Sequence, residues 1–471
     1  MEKKLGLLSL IALVVGTMVG GGVYNLPSDI ASAGNSGAIL VGWCITAIGM
    51  ISLALVYQNL STTMPHLDGG IYSYARAGFG EYIGFNAAWG YWISGILGNI
   101  ALFVLLFSAL GYFFPIFGEG NNAYSILGAS LLLWAVQILV LNGIRGAAIV
   151  NVIATIGKII PIILFIVVMI FMFHKPTFTN NFWGSEQFEW SRFLSQVRSC
   201  MHVTLWVFIG VEGAVVLSGH AKRKSDVGKA TVLGLILTLL LYVIISILSL
   251  GVIPQGELAI FKTPSMAYVL ESVIGSVGAT IINLGLIISL LGAIIGWTLL
   301  VVEIPYLAGR DGVFPKIFKN ENKEGTPVNS LWISNLITQL FLILSLFSHS
   351  TYQFLFSLAT TSILIPYLLS ALFQVKLLYN KDYRTKLKHS SISFLTSILA
   401  TLYTIWLVYA AGLKYLLIVM LVYAIGIIVF IYVKKEDEKP LIRPYEFIIM
   451  LVVIGMAVLS IYLFLIGRIS I

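Results

Sequence analysis

Long apolar runs most constrain what this chain of 471 residues can fold into. About 20 apolar residues cross the roughly 30 Å hydrocarbon core of a bilayer. With 59% hydrophobic and 10% charged residues, the chain lacks the charge that a soluble protein of this length needs on its surface. The sequence therefore predicts an all-α polytopic membrane protein with about thirteen spans, at residues 5–33, 37–60, 80–114, 124–142, 148–173, 193–219, 228–252, 267–309, 329–348, 351–378, 391–411, 413–433 and 445–468.

The basic residues predict the orientation in the membrane. With the N terminus in the cytoplasm, 21 of the 28 lysines and arginines fall in cytoplasmic segments and six fall on the opposite side. Such an excess is typical of cytoplasmic loops. We therefore expect a multi-pass cell-membrane protein with its N terminus in the cytoplasm and its C terminus outside. The net charge of +8 follows from this topology and does not indicate a nucleic-acid partner.

Glycines interrupt two of the predicted spans. The first contains GTMVGGGVYNLP at residues 16–27, and the sixth contains TLWVFIGVEGAVVLSG at residues 204–219. In a helix interior, glycine costs roughly 1 kcal/mol and proline roughly 3 kcal/mol relative to alanine. Because the breaks are five spans apart, a second unit of five would be inserted upside down. The sequence predicts inverted repeats at 1–173 and 193–378, with additional C-terminal helices at 391–471.

The two breaks predict a site for the zwitterionic head of an amino acid. Unwound backbone survives in hydrocarbon only where protein or a water-filled cavity surrounds it. Gly20, Gly21 and Gly22 allow close approach to the backbone, and the following half-helix directs free N–H groups toward a carboxylate. The carbonyl end before Gly210 suits an ammonium group. The alternative is that Gly16 and Gly20, spaced GxxxG, only allow close helix packing.

Charged residues also lie inside the predicted spans. Glu212 follows the second break, and we expect it to face the bundle interior in a proton-linked or gating role. A structural carboxylate is the alternative. Lys158 could neutralise carbonyls of the first break, as sodium does in cation-coupled carriers, or it could snorkel to the interface. Glu303 is expected to pair with Arg310.

Aromatic and polar residues near the breaks complete the candidate site. An indole face attracts a cation by up to about 2 kcal/mol when desolvated, which favours Trp206 and Trp297 as contacts, although ordinary packing is the alternative. Asn99 in the third span could face the site or bridge two helices. No residues have the spacing of a catalytic triad or a metal site, so we expect no enzymatic activity, metal or cofactor.

Several motifs together resemble a known family. GTMVGGGVYNLP, HLDGGIYSYARAGFG, GNIAL, TLWVFIGVEGA, GWTLL and GRDGVFP occur in an order similar to that of the amino acid–polyamine–organocation (APC) superfamily. Within it, the chain resembles the basic amino acid/polyamine antiporters, over about residues 5–433. The resemblance implies a LeuT-like fold of five plus five inverted repeats, alternating access around a central site, and a bacterial origin.

The resemblance also implies roles for individual residues. The substrate carboxylate would lie on the three glycines, its amino group on the carbonyl of Ile209, and its cationic side chain on Trp297. Thr17 and Gly21 differ from the arginine/agmatine exchangers, and a thirteenth span resembles the arginine/ornithine subgroup. The remaining implied roles are polar contacts at Thr17 and Asn99, an aromatic wall at Trp206 and proton-sensitive gating at Glu212.

These features lead to one main hypothesis about function and three alternatives. The main hypothesis is an electroneutral exchanger that imports arginine and exports ornithine. The alternatives are a proton-coupled amino acid symporter, an exchanger of another amino acid and its decarboxylation product, and a transport-inactive amino acid sensor. The expected partners are small amino acids and the lipid bilayer, with a homodimer as a candidate assembly.

Overall fold

A computed structural model describes residues 4–184, 188–347, 352–387, 390–437 and 443–469. Residues 348 and 351, at the predicted ends of two spans, lie outside these ranges. Within them the fold is helical, with only isolated β-bridges. The first part of the chain forms α1 (Leu7–Met18), α2 (Gly22–Ala33), α3 (Ser36–Thr63), α4 (Ile71–Phe79), α5 (Glu81–Gly111), α6 (Ala123–Leu141), α7 (Ile144–Met172) and α8 (Lys175–Thr179).

The second part of the chain repeats a broken helix at its start and adds three long helices at its end. It forms α9 (Trp190–Val207), α10 (Gly213–Val216), α11 (Lys224–Val252), α12 (Gln255–Leu258), α13 (Ser265–Ile274), α14 (Ser276–Arg310), α15 (Val328–Leu344), α16 (Tyr352–Leu378), α17 (Lys381–Lys386), α18 (Ser390–Ala411), α19 (Leu413–Glu436) and α20 (Pro444–Leu465).

The helices divide into a buried centre and a lipid-facing rim. Ten helices of the described chain are long and apolar enough to cross a membrane, or eleven when α1 and α2 count as one bent span. The other two predicted spans are the broken α9–α10 and the 17-residue α15. In their most apolar windows, α14 is 83% buried and α5 78%, whereas α20 is 22% buried. The centre of the bundle is therefore built around α5 and α14.

The two broken spans run in opposite directions. The axes of α1 and α2 differ by 45° across the first break. The half before the first break, α1, packs against the half after the second, α10, and α2 packs against α9. The N–H of Leu5 donates to the carbonyl of His220 (2.8 Å), and the N–H of Lys222 donates to the carbonyl of Leu5 (2.7 Å). This is the predicted LeuT-like arrangement, although the repeat boundaries stay a prediction.

One predicted span is two helices. The apolar run at 267–309 is divided at Gly275, whose φ of 74° is left-handed and is adopted readily only by glycine. The short α13 before this turn packs against α2, and the hydroxyl of Ser265 donates to the carbonyl of Asn25 (3.1 Å). The expectation of one continuous span here is wrong, because hydrophobicity alone does not register a turn between two apolar helices.

Close contact between α3 and α18 yields a prediction about stability. A Cβ atom on Gly49 would lie 2.1 Å from the ring of Tyr403, whereas one on Gly455 would meet nothing within 4 Å. Overpacking of this kind costs about 1–3 kcal/mol. We expect Gly49→Leu to lower the thermal unfolding midpoint in detergent and Gly455→Leu to leave it unchanged. Equal midpoints for the two variants would contradict the packing of α3 on α18.

Candidate functional site

A small cavity lies between the two breaks, and its free volume of about 20 Å³ is enough for about one water molecule. Asn99 does not line it, although the preceding Gly98 does. The side-chain oxygen of Asn99 is buried and has no hydrogen-bond partner among the described residues. The structure thus brings together all the predicted substrate contacts except Asn99, namely Thr17, Gly20, Gly21, Gly22, Trp206, Ile209 and Trp297.

Residues of α5 and α16 form a wall of the cavity that the sequence does not predict. The hydroxyl of Ser94 in α5 donates to the carbonyl of Ala359 in α16 (2.6 Å) and joins these helices beside the cavity. A serine or an alanine inside an apolar helix has no spacing that distinguishes it from packing, so the sequence holds no signal for these positions. The further lining residues are Met18, Ser94, Gly98, Leu102, Val207, Phe356 and Ala359.

Side chains from three other helices satisfy the carbonyls at the first break. The buried ammonium of Lys158 in α7 donates to the carbonyls of Gly16 (2.9 Å) and Val19 (2.6 Å). In hydrocarbon each unpaired carbonyl would be costly, so these bonds stabilise the unwound turn. The other donors are the indole of Trp297 to Thr17 (3.2 Å), the hydroxyl of Tyr242 to Met18 (2.8 Å), and the hydroxyl of Ser289, which lies 2.9 Å from the carbonyl of Val19 and 3.0 Å from that of Gly20.

Three backbone N–H groups at this break, in contrast, have no acceptor among the described residues. These are the N–H groups of Gly21, Gly22 and Val23. They form the start of α2, where the helix dipole is positive. A Cβ atom on Gly22 would lie 2.3 Å from the ring of Trp206, so this indole packs directly on the backbone. The break therefore offers N–H donors to an anion beside an aromatic wall.

The second break offers a hydrogen-bond acceptor instead of donors. The left-handed φ of 107° at Gly210 requires glycine, and the hydroxyl of Thr17 lies 3.0 Å from its carbonyl. Ile209 lines the cavity, and its carbonyl accepts no hydrogen bond from any described residue. An open carbonyl can accept from a cationic donor. The two breaks thus present N–H donors and a carbonyl acceptor to one cavity.

Three tyrosines surround the carboxyl group of Glu212. One of its oxygens accepts from the N–H of Gly210 (3.2 Å) and from the hydroxyl of Tyr367 in α16. Tyr91 in α5 is an electrostatic neighbour of the same carboxyl, and the rings of Tyr57 and Tyr367 are 6.3 Å apart. All of these side chains are buried. Glu212 therefore links the second break to α16, a connection for which the sequence has no signal.

Ion pairs close the end of the bundle that carries the N terminus. A nitrogen of Arg76 in α4 lies 2.8 Å from a carboxylate oxygen of Asp311, which follows α14. Lys224 at the start of α11 pairs with Asp68, in the segment before α4. These pairs join α4 and the segment before it to α11 and α14.

Glu303 takes part in this closure with a partner that differs from the predicted one. Its carboxylate lies 3.1 Å from Nε2 of His220, in the segment after α10. Arg310 instead places its guanidinium over the ring of Tyr306, 5.8 Å from the centroid. Seven residues of helix separate Glu303 from Arg310 by about 10 Å along the axis, too far for direct pairing. No cluster of three or more His, Cys, Asp or Glu within the described ranges could hold a metal ion.

Lys158 provides a direct test of how the first break is stabilised. Lys158→Met keeps a long unbranched side chain but leaves the carbonyls of Gly16 and Val19 without this donor. An unsatisfied buried acceptor costs about 1–3 kcal/mol. We expect a lower thermal midpoint and weaker substrate binding, measured by unfolding in detergent and by calorimetry, while Lys262→Met at an exposed position changes neither. Unchanged binding by Lys158→Met would show that the break does not depend on this ammonium.

Comparisons with known proteins agree with this architecture. The family model described as amino acid permease matches residues 5–414. The chain is 46% identical to an arginine/ornithine antiporter of Pseudomonas aeruginosa, over 98% of this chain and 97% of that protein. It is 42% identical to an arginine/agmatine antiporter of Chlamydia pneumoniae, over 100% and 99% of the two chains. It is 40% identical to an arginine/agmatine antiporter of Chlamydia abortus, over 98% and 97%. The chain belongs to the amino acid permease family.

Proposed function

We propose that this protein is an antiporter that exchanges arginine for ornithine by alternating access. The observation that carries the proposal is the pair of broken helices, which present open N–H groups and an open carbonyl to one cavity. A free amino acid carries both complementary charges on one carbon atom. The chain's similarity to antiporters named for arginine, with ornithine or agmatine as the second substrate, supports a basic amino acid.

In this proposal the substrate is held at both ends of its head group. The N–H groups of Gly21 and Gly22 bind the carboxylate, with Gly20 beside them, and the carbonyl of Ile209 binds the amino group. Trp206 covers the head group. Trp297 is fixed by its bond to the carbonyl of Thr17 and offers its ring face to the cationic side chain. Thr17 lines the same cavity, and the contact from Asn99 stays a prediction because Asn99 does not line the cavity.

Two buried charges complete the proposed mechanism. Lys158 takes the place of a sodium ion at the first break, so exchange needs no bound metal or cofactor. Glu212 controls gating, because its hydrogen bonds with Gly210 and Tyr367 hold the unwound segment of span 6 against α16. The positive-inside pattern supports a cytoplasmic N terminus and an outer C terminus in a bacterial cell membrane. A homodimer and the absence of enzymatic activity stay predictions.

Counterflow in proteoliposomes tests the exchange. We expect labelled arginine to enter ornithine-loaded vesicles at least about tenfold faster than empty ones, and a membrane potential to have no effect, because both substrates carry one net charge. Exchange with agmatine moves one net charge and would respond to the potential, at about 2.3 kcal/mol per 100 mV. Equal uptake into empty vesicles would exclude antiport, and uptake that requires a proton gradient would indicate the symporter alternative.

Two substitutions test the assigned contacts. Trp297→Leu removes the cation–π surface and is expected to raise the KM for arginine about five- to thirtyfold, equivalent to roughly 1–2 kcal/mol. Glu212→Gln is expected to slow exchange and to remove its response to pH. Matched controls are Trp190→Leu and Glu119→Gln, both at exposed positions. Wild-type KM in the first variant, or a wild-type pH profile in the second, would refute that residue's role.

A further inference from the structure

A second cavity lies beyond the central one, on the side of the protein opposite the N terminus. It has a free volume of about 190 Å³ and lies between the end of α2, the C-terminal half of α9 and the start of α16. Trp206 and Phe356 line both cavities, and their rings meet edge to face with centroids 5.4 Å apart. These two rings therefore form a partition that a molecule entering from this side has to pass. The lining includes Asp29, Ser32, His202, Trp206, Phe356 and Thr360.

Asp29 places a carboxyl group in this outer cavity. It is the one acid in the lining, and no described lysine or arginine lines the cavity or forms an ion pair with it. The side-chain amide of Asn25, one helical turn earlier in α2, donates to one carboxylate oxygen of Asp29 (2.7 Å). This bond orients the carboxylate. Seven residues of helix place Asp29 about 10 Å further out than Gly22 at the first break.

A hydroxyl group accompanies the carboxylate in the lining. The hydroxyl of Thr360 donates to the carbonyl of Phe356 within α16 (2.8 Å), which leaves its oxygen lone pairs able to accept a bond. A guanidinium carries five N–H donors and an ammonium three, and neither group accepts. The chemistry of the lining is therefore complementary to a multiply donating organic cation.

We propose that this outer cavity is a recognition subsite for the cationic side chain of a basic amino acid. Asp29 forms an ion pair with the guanidinium or ammonium group before the substrate passes Trp206 and Phe356. The inference rests on the proposed function and extends it, because it places a determinant of substrate class outside the central cavity. A carboxylate in a cavity with low-dielectric walls raises the local concentration of cations and speeds their capture.

Asp29→Asn tests the subsite without changing side-chain size. The assay uses vesicles in which the protein has one orientation and which are loaded with saturating ornithine. We expect the KM for external arginine to rise about five- to tenfold, because the variant loses a charge-assisted hydrogen bond in a partly exposed position. The maximal exchange rate and the half-saturating internal ornithine concentration should stay at wild-type values, which a folding defect would not allow. Glu257→Gln removes an exposed acid outside the cavity and should leave the KM unchanged.

A second variant adds a charge instead of removing one. Ser32 is exposed at the cavity edge, so Ser32→Lys places an ammonium beside Asp29 and should also raise the KM for arginine. Asp29→Glu should restore a KM near the wild-type value. If arginine exchange is intact and both Asp29→Asn and Ser32→Lys keep a wild-type KM, the subsite is refuted while the proposed function stands. If the wild-type protein exchanges no basic amino acid, the proposed function itself fails.

Discussion

The unwound turn of the first span is the constraint on which the rest of the structure depends. Breaking a helix in hydrocarbon exposes carbonyl groups that lipid cannot satisfy. Here α7, α11 and α14 each supply donors to this one turn, and the buried ammonium of Lys158 serves two carbonyls at once. A single break thus determines which polar residues three neighbouring helices must carry and how close they must pack.

Among the described residues, this arrangement leaves hydrogen-bond donors, and not acceptors, available to a ligand at the first break. Its carbonyls are bonded to protein, whereas the N–H groups of Gly21, Gly22 and Val23 have no acceptor among the described residues. The second break is the reverse, since the N–H of Gly210 is bonded to Glu212 while the carbonyl of Ile209 is open. Because the spans are inverted, the open groups of opposite polarity share one cavity. A zwitterionic head group is the ligand that such a pair of breaks fits best.

Much of this arrangement could be predicted from the sequence, because glycine within an apolar run is a strong signal. The glycines at both breaks were predicted in this way. Lys158 was predicted from a charge inside an apolar span, and the two tryptophans from their positions near the breaks. Ser289 and Tyr242 were missed, since a single polar residue in an apolar helix does not reveal which neighbour it meets. The turn at Gly275 was missed because both flanking helices are apolar. Glu303 pairs with His220 across the fold, and the sequence around Glu303 contains no information about that contact.

The inverted packing also suggests which parts would move together in the proposed cycle. At the N-terminal end, α1 packs on α10, and the backbone bonds between Leu5 and residues after α10 join the two broken spans. At the other end, α2 packs on α9 and carries Asp29 toward the outer cavity. Glu212 lies between these halves and bonds to α16, the helix that also supplies Phe356 to the partition. A change at this carboxyl would therefore act on both the break and the partition, since α16 contributes to each.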